Sequence, residues 1–417
     1  MNLELGTAMD GPSAVLHRQS RLRYCLGQWK PRATLSCLFA CTVGFLLLGL
    51  ITLSPIPTLA HAGSQFQPRL SSRLTSKQLA AVVVDYHLES SLSLDFLKAG
   101  GTAESHLDSS LAPFLTPRVS GTPENKKVQE YIIQTFRGLG WDVETDSFNA
   151  STPYGHKSFT NIVVTQNPRA LSRLVLAAHF DSKYFKDFDF VGATDSSVPC
   201  AILVDIAKTL DPLLHELDDH LSRADQETQN DMPSLQFVFF DGEEAFKDWT
   251  ATDSLYGSRH LASKWEQEYF VGAGGSSYST LSRIELFVLL DLLGAPEPTI
   301  FNTNGQTAWA FERLVDIQKR LIAEGHASNK LVTQAKRNGH GYFMSGMKHW
   351  QSRNSIQDDH LPFQTRGVSI VHLITQPFPP GWHTVHDDAK HLDADVILDF
   401  ARIFRVFVAE YIGLTGH

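Results

Sequence analysis

Carboxylates and imidazoles in this chain follow directly on apolar runs. Leu171–Ala178 is followed by His179, Phe180 and Asp181, and Leu235–Phe240 by Asp241, Gly242, Glu243 and Glu244. Ile284–Leu290 ends on Asp291, and Val368–Ile374 contains His372 and leads through Phe378 to Trp382 and His383. Between the first two runs, Gly192-Ala193-Thr194-Asp195-Ser196 opens a helical pattern. Taken singly, each feature has a plain structural explanation. Asp195 could cap its helix, and an acidic pair is commonly a solvated charge run. Glu243-Glu244, however, lies between an apolar run and Ala245-Phe246, off any polar face. Two carboxylates placed there can diverge, one toward a metal and one toward acid–base work. Asp, Glu and His together suit zinc, which three protein ligands bind while leaving a position open for catalysis. Cys200 sits in an apolar helical stretch, where burial makes a thiol a poor nucleophile. The sequence has neither a phosphate-cradling glycine loop nor a G-x-S-x-G elbow.

The apolar runs are short, continuous and rich in Val, Ile, Leu and Phe, as strands covered on both faces are. Helical spacing separates them: Pro123–Phe136, Ser196–Leu210, Gln306–Ala323 and a closing Val396–Ile412. The alternation predicts an α/β fold with a mixed, mainly parallel central sheet flanked by helices, in a single catalytic domain over residues 77–417. In such sheets the ligand crevice lies beyond the carboxyl ends of the strands, and the acidic and imidazole groups recur at that edge. Asp218–Pro233 and Gly272–Thr280 read as surface insertions.

Of the 417 residues, 42% are hydrophobic and the formal net charge is −9. That excludes wholesale disorder, and the acidic balance argues against a nucleic-acid partner. The charge is unevenly spread. Residues 1–34 are basic, residues 35–62 carry no Asp, Glu, Lys or Arg, and the acidic excess lies beyond. Leu35–Leu53 approaches the roughly 20 residues of a membrane-spanning helix, with its basic flank on the cytosolic side. Residues 1–34 therefore read as a cytosolic tail, 35–53 as a signal anchor or signal-peptide core, and 54–76 as a linker. Ala60-His61-Ala62 fits signal-peptidase cleavage. The domain is expected in the secretory pathway, either luminal in the Golgi or endoplasmic reticulum or secreted after cleavage behind Ala62. Asn149-Ala150-Ser151 is a glycosylation sequon that fits this compartment.

Longer motifs make the family recognisable. Ala178-His179-Phe180-Asp181-Ser182-Lys183, Asp241-Gly242-Glu243-Glu244-Ala245-Phe246 and Trp382-His383-Thr384 resemble the zinc aminopeptidase-like peptidases. Asp253 to His260, Leu289 to Pro296 and Ile356 to Phe363 narrow the resemblance to the glutaminyl-peptide cyclotransferases, or glutaminyl cyclases. The resemblance implies one zinc per chain, held by Asp195, Glu244 and His383, with Glu243 as general acid and base. It also implies a carboxylate network of Asp291 and Asp358 with His372 nearby, and a substrate pocket of Trp249, Ile356, Phe378 and Trp382 with a backbone donor at Gln357. The implied substrates are peptides or proteins with N-terminal glutamine, or glutamate, acted on by a monomeric domain. A two-zinc aminopeptidase is the alternative, because His179 and Asp291 could hold a second metal bridged by Asp195. One departure is that the position which often pairs with Cys200 in animal luminal members is Ala178 here, so Cys200 should be a free, buried thiol.

Overall fold

The computed structural model describes residues 70, 72–84, 110–223, 232–271, 277–345 and 356–414. The chain divides by its internal contacts into Met1–Gly63 and Ser64–His417, and the fold below is that of the second unit. The expected tail, apolar segment and cleavage site lie outside the described residues. Among the described residues no helix is long and apolar enough to cross a membrane.

Six strands form the central sheet: β1 (Asp142–Thr152), β2 (Gly155–Thr165), β3 (Arg173–His179), β4 (Ser234–Phe240), β5 (Ile284–Asp291) and β6 (Ile370–Ile374). Their order is β1-β2-β4-β3-β5-β6. The last four are mutually parallel, and β1 and β2 form an antiparallel hairpin against β4. Every residue of β3, β4, β5 and β6 is buried, which is why these strands read as unbroken apolar runs. The register sets their ends level. His179 pairs with Phe240, and Ile374 with Asp291. Ala177 pairs with Leu289, and the same register two residues on sets His179 beside Asp291.

Helices cover both faces. Pro123–Gly138 (α1) starts where Thr122 caps it and Pro123 supplies a ready-made first-turn φ. Val198–Leu221 (α2) and Ala394–Ile412 (α3) bury their apolar sides in the larger core cluster, against Leu174, Leu176, Phe237 and Leu286. On the other face Leu261 and Trp265 pack with Val175, Val238, Phe287 and Phe363. Within the helical layer Arg405 donates from Nε and Nη2 to both oxygens of Asp205 at 2.6 Å, with neither side chain exposed. Arg405 also donates to the Val84 carbonyl at 2.6 Å, tying the start of the domain to α3.

Several boundaries differ from expectation. The domain starts ahead of Lys77, since Leu70 and Leu74 are buried in the core and Thr75 caps the helix Ser76–Val82. Helix α2 runs on through Pro212 to Leu221, so the polar stretch from Asp218 begins as helix rather than as an insertion. The β1–β2 hairpin and the helices Tyr256–Gln267 and Asn329–Asn338 were not expected at all. They belong to the half-exposed periphery, where polar residues break the apolar pattern.

Replacing Asp205 with Ala removes the two-point carboxylate contact of the buried Arg405 guanidinium. Urea denaturation should show about 3–5 kcal/mol lost. An unchanged midpoint would mean that the pair is not needed to close the helical layer.

Candidate active site

The loops at the carboxyl edge of β3, β4, β5 and β6 bring the expected residues together. Asp195, Glu244 and His383 each offer a ligand atom, and these atoms lie within 4.8 Å of one another. His383 Nε2 is 3.3 Å from Asp195 Oδ2 and 3.2 Å from Glu244 Oε1. Burial alone would lower the His383 pKa, but its contacts with Asp195 and Glu244 raise it to about 9. Lys183, largely buried, donates from Nζ to Glu244 Oε2 at 3.1 Å and to the Ala245 carbonyl at 2.9 Å. Two carboxylates and an imidazole that draw in cations in this way are the donor set of a divalent metal site.

The backbone around the trio is tightly specified. Gly192 has φ +60°, and a Cβ there would lie 2.1 Å from the Asp195 carbonyl oxygen, so only glycine fits the turn. Asp181 accepts the backbone N–H groups of Glu243 at 3.1 Å and Glu244 at 3.3 Å, which fixes the acidic pair. Asp387 straps two ligand loops together. Its Oδ1 accepts from Thr194 N at 2.7 Å and from Thr194 Oγ1 at 2.9 Å, and its carbonyl accepts from Ala193 N at 3.0 Å. Its own N–H donates to Thr384, next to His383. Arg118, fully buried, donates to the carbonyls of Phe180, Val191 and Gly192 behind the same turn. Asp181, Lys183, Asp387 and Arg118 had no assigned role in the sequence reading. Each acts through backbone or partner geometry that no spacing displays.

A second group of charges adjoins the trio. His179 Nε2 lies 3.0 Å from Asp195 Oδ1 and 3.6 Å from Asp291 Oδ1, and its Nδ1 lies 3.5 Å from Asp181. Burial opposes a charged His179, yet these three carboxylates raise its pKa well above the ordinary value. Burial, aided by Asp358, pushes the Asp291 carboxyl up to about 6. Ser196 Oγ and Leu292 N donate to Asp291 Oδ1. Asp358 is buried too, but its bond to His372 Nε2 at 2.7 Å holds it below the usual carboxylate range. Burial above all keeps Glu243 protonated well beyond that range; His179 counters the effect, while Glu244 and Asp358 add to it. Environments that split neighbouring carboxylates in this way mark acid–base sites.

Aromatic side chains stand next to His383 and Gln357. Trp382 stacks on His383 at 3.8 Å between ring centroids and meets Phe378 edge-on at 4.8 Å. Trp249 donates from Nε1 to Gln357 Oε1 at 2.9 Å. Ile356 is half-buried next to it in sequence. Cys200 is buried and unpaired, donates to the His179 carbonyl, and is pushed by burial up to about 12.

A mixed sheet with buried carboxylates and imidazoles at its carboxyl edge, and aromatic side chains beside them, defines a metallopeptidase-like α/β enzyme. The model of peptidase family M28 matches residues 161–408. The chain is 41% identical over 342 residues to a Bos taurus glutaminyl-peptide cyclotransferase, covering 79% of this chain and 89% of that one. It is 44% identical over 308 residues to a Bos taurus glutaminyl-peptide cyclotransferase-like protein, covering 73% and 74% respectively. The crystal structure of Macrostomum lignano glutaminyl cyclase superposes with a TM-score of 0.67 at 34% identity, over 83% of this chain and 96% of that one. A leucine aminopeptidase precursor from Bacteroides thetaiotaomicron, 16% identical with a TM-score of 0.52, shares the fold alone. The chain belongs to peptidase family M28 and, within it, to the glutaminyl-peptide cyclotransferases.

If Asp387 sets the spacing of the ligand loops, Asp387→Ala should weaken divalent-metal affinity about 10–100-fold in a chelator competition. Asp387→Asn, which keeps an oxygen for Thr194, should lose less. Equal affinity in all three proteins would exclude the strap.

Proposed function

We propose that this enzyme converts the N-terminal glutamine of peptides and proteins to pyroglutamate, releasing ammonia. The observation that carries this reading is the pairing of a metal-ligating trio with a separate protonatable carboxylate, Glu243, inside an aromatic-walled opening. Asp195, Glu244 and His383 would hold one zinc ion, which supplies Lewis acidity at the substrate's γ-carbonyl oxygen.

The chain's own groups do the rest. Glu243 takes a proton from the substrate α-amine as that nitrogen bonds to the γ-carboxamide carbon. It returns the proton to the amide nitrogen as the carbon–nitrogen bond breaks and ammonia leaves. Asp291 and Asp358, with His372 behind them, hold the remaining charge and hydrogen bonds in place. Trp249, Ile356, Phe378 and Trp382 fold the glutamine side chain back toward its own amine, an intramolecular arrangement that removes much of the entropic barrier. The same walls keep out water, which would hydrolyse the amide. His179 supports a one-metal site, because its imidazole already bridges Asp195 and Asp291. N-terminal glutamate fits the same pocket, with water as the leaving group.

The basic tail and the uncharged 35–53 segment support a luminal domain in the Golgi or endoplasmic reticulum, anchored by that segment or secreted if it is cleaved behind Ala62. A monomeric catalytic domain is part of the same proposal. Asn149 is exposed on the outer strand β1.

Purified enzyme should release ammonia from a Gln-initiated peptide and leave Ala- and Leu-initiated peptides intact. Rapid release of free Ala or Leu would establish an aminopeptidase instead. Glu243→Gln should abolish turnover while retaining zinc, whereas Glu244→Gln should lose the metal; the reverse pattern would exchange the two roles. Expressed in eukaryotic cells, the full chain should lose mass on enzymatic deglycosylation, and Asn149→Gln should remove that shift. A chain without glycan would count against a luminal domain.

A further inference from the structure

The large apolar side chains exposed among the described residues fall into two patches. Leu171, Tyr269, Val271 and Tyr278 sit where β3 and β5 begin, away from the site. Tyr184, Trp249, Trp382 and Val385 lie on the loops that carry Lys183, Glu244 and His383, and Tyr154 meets Tyr184. Trp249 and Trp382 have a use in holding glutamine, whereas Tyr154 and Tyr184 have none so far. Scattered surface apolar residues are ordinary, but a contiguous patch beside a site marks a binding surface.

The hairpin places Tyr154 deliberately. Strand β2 pairs with β4 from Ile162 opposite Phe239, and Phe240 is the last residue of β4. Gly155–Thr160 therefore projects beyond the sheet's carboxyl edge by six residues, about 20 Å of strand. Tyr154 stands in the turn at its tip, 53% exposed, and meets Tyr184 edge-on at 5.4 Å between ring centroids. Tyr184, 40% exposed, lies between Lys183, which touches Glu244, and Phe185, whose ring is 6.0 Å from that of His383. An apolar path thus runs outward from the trio: His383, Phe185, Tyr184, Tyr154.

We propose that Tyr184 and Tyr154 form a ledge that binds the second and third residues of the substrate peptide, with a preference for aromatic or bulky apolar side chains. An extended peptide advances about 3.3–3.6 Å per residue. Residues two and three leaving the opening on this side therefore pass over Tyr184 and then Tyr154. Edge-on and offset ring contacts of the kind already made between the two tyrosines would receive those side chains.

This inference rests on the cyclase reading, and the test separates the two. Ammonia release is measured for Gln-Gly-Gly and Gln-Phe-Phe with the wild-type enzyme, with Tyr154→Ala/Tyr184→Ala, and with Tyr154→Phe/Tyr184→Phe. The kcat/KM ratio of the Phe peptide to the Gly peptide should be about three- to tenfold in the wild type. It should persist in the Phe variant, which keeps both rings, and fall toward one in the Ala variant. A wild-type ratio near one, or a ratio that survives in the Ala variant, overturns the ledge alone. No ammonia from either peptide with the wild-type enzyme overturns the cyclase reading and the ledge with it.

Discussion

The structure is organised around a concentration of acid where water is largely excluded. Asp181, Asp195, Glu243, Glu244, Asp291 and Asp358 are buried at one edge of the sheet. Buried carboxylates are costly unless they are paired, hydrogen-bonded or neutralised. Here the compensation is distributed. Asp195 is shared between two imidazoles, with His179 at Oδ1 and His383 at Oδ2. Lys183 serves Glu244, His372 serves Asp358, and Asp181 spends its oxygens on the backbone of the acidic pair. Glu243 receives no such partner, and its carboxyl accordingly holds a proton far beyond the usual range. A carboxyl left protonatable in this way is suited to moving protons.

Positioning follows from strand register more than from any single loop. Because β3, β4, β5 and β6 end level, residues far apart in sequence arrive at one edge without long connections. The finer spacing is set by polar clamps. Asp387 ties the loop of His383 to the turn before Asp195, and Arg118 fixes that turn from behind. Trp382 stacks on His383, so the proposed metal ligand and the proposed substrate wall are in direct contact.

How far this was legible in the sequence depends on burial. The parallel strands and the edge residues could be read because two-sided burial leaves unbroken apolar runs, and the chemistry begins where each run stops. Cys200 could be read as buried from its apolar neighbours, and as free from the Ala178 departure that the resemblance exposes. The β1–β2 hairpin could not, since β1 alternates exposed and half-buried residues on the outer edge of the sheet, with Asp146 alone fully buried. The Tyr154 ledge was invisible for the same reason, because its meaning depends on where that hairpin ends. Nor could Asp387 or Arg118 be read, since their partners are backbone groups brought near only by the fold. Counting ligands left the metal number open, because His179 and Asp291 complete a second possible set with Asp195.

That metal number bears most directly on the account. The one-zinc proposal rests on His179 bridging Asp195 and Asp291 instead of binding metal with them, which leaves the dication to Asp195, Glu244 and His383. Elemental analysis of the purified enzyme, after dialysis against buffer with trace zinc, should give one zinc per chain. Two tightly held zincs per chain would contradict it, placing metal on His179 and Asp291 and making the site that of a two-metal aminopeptidase.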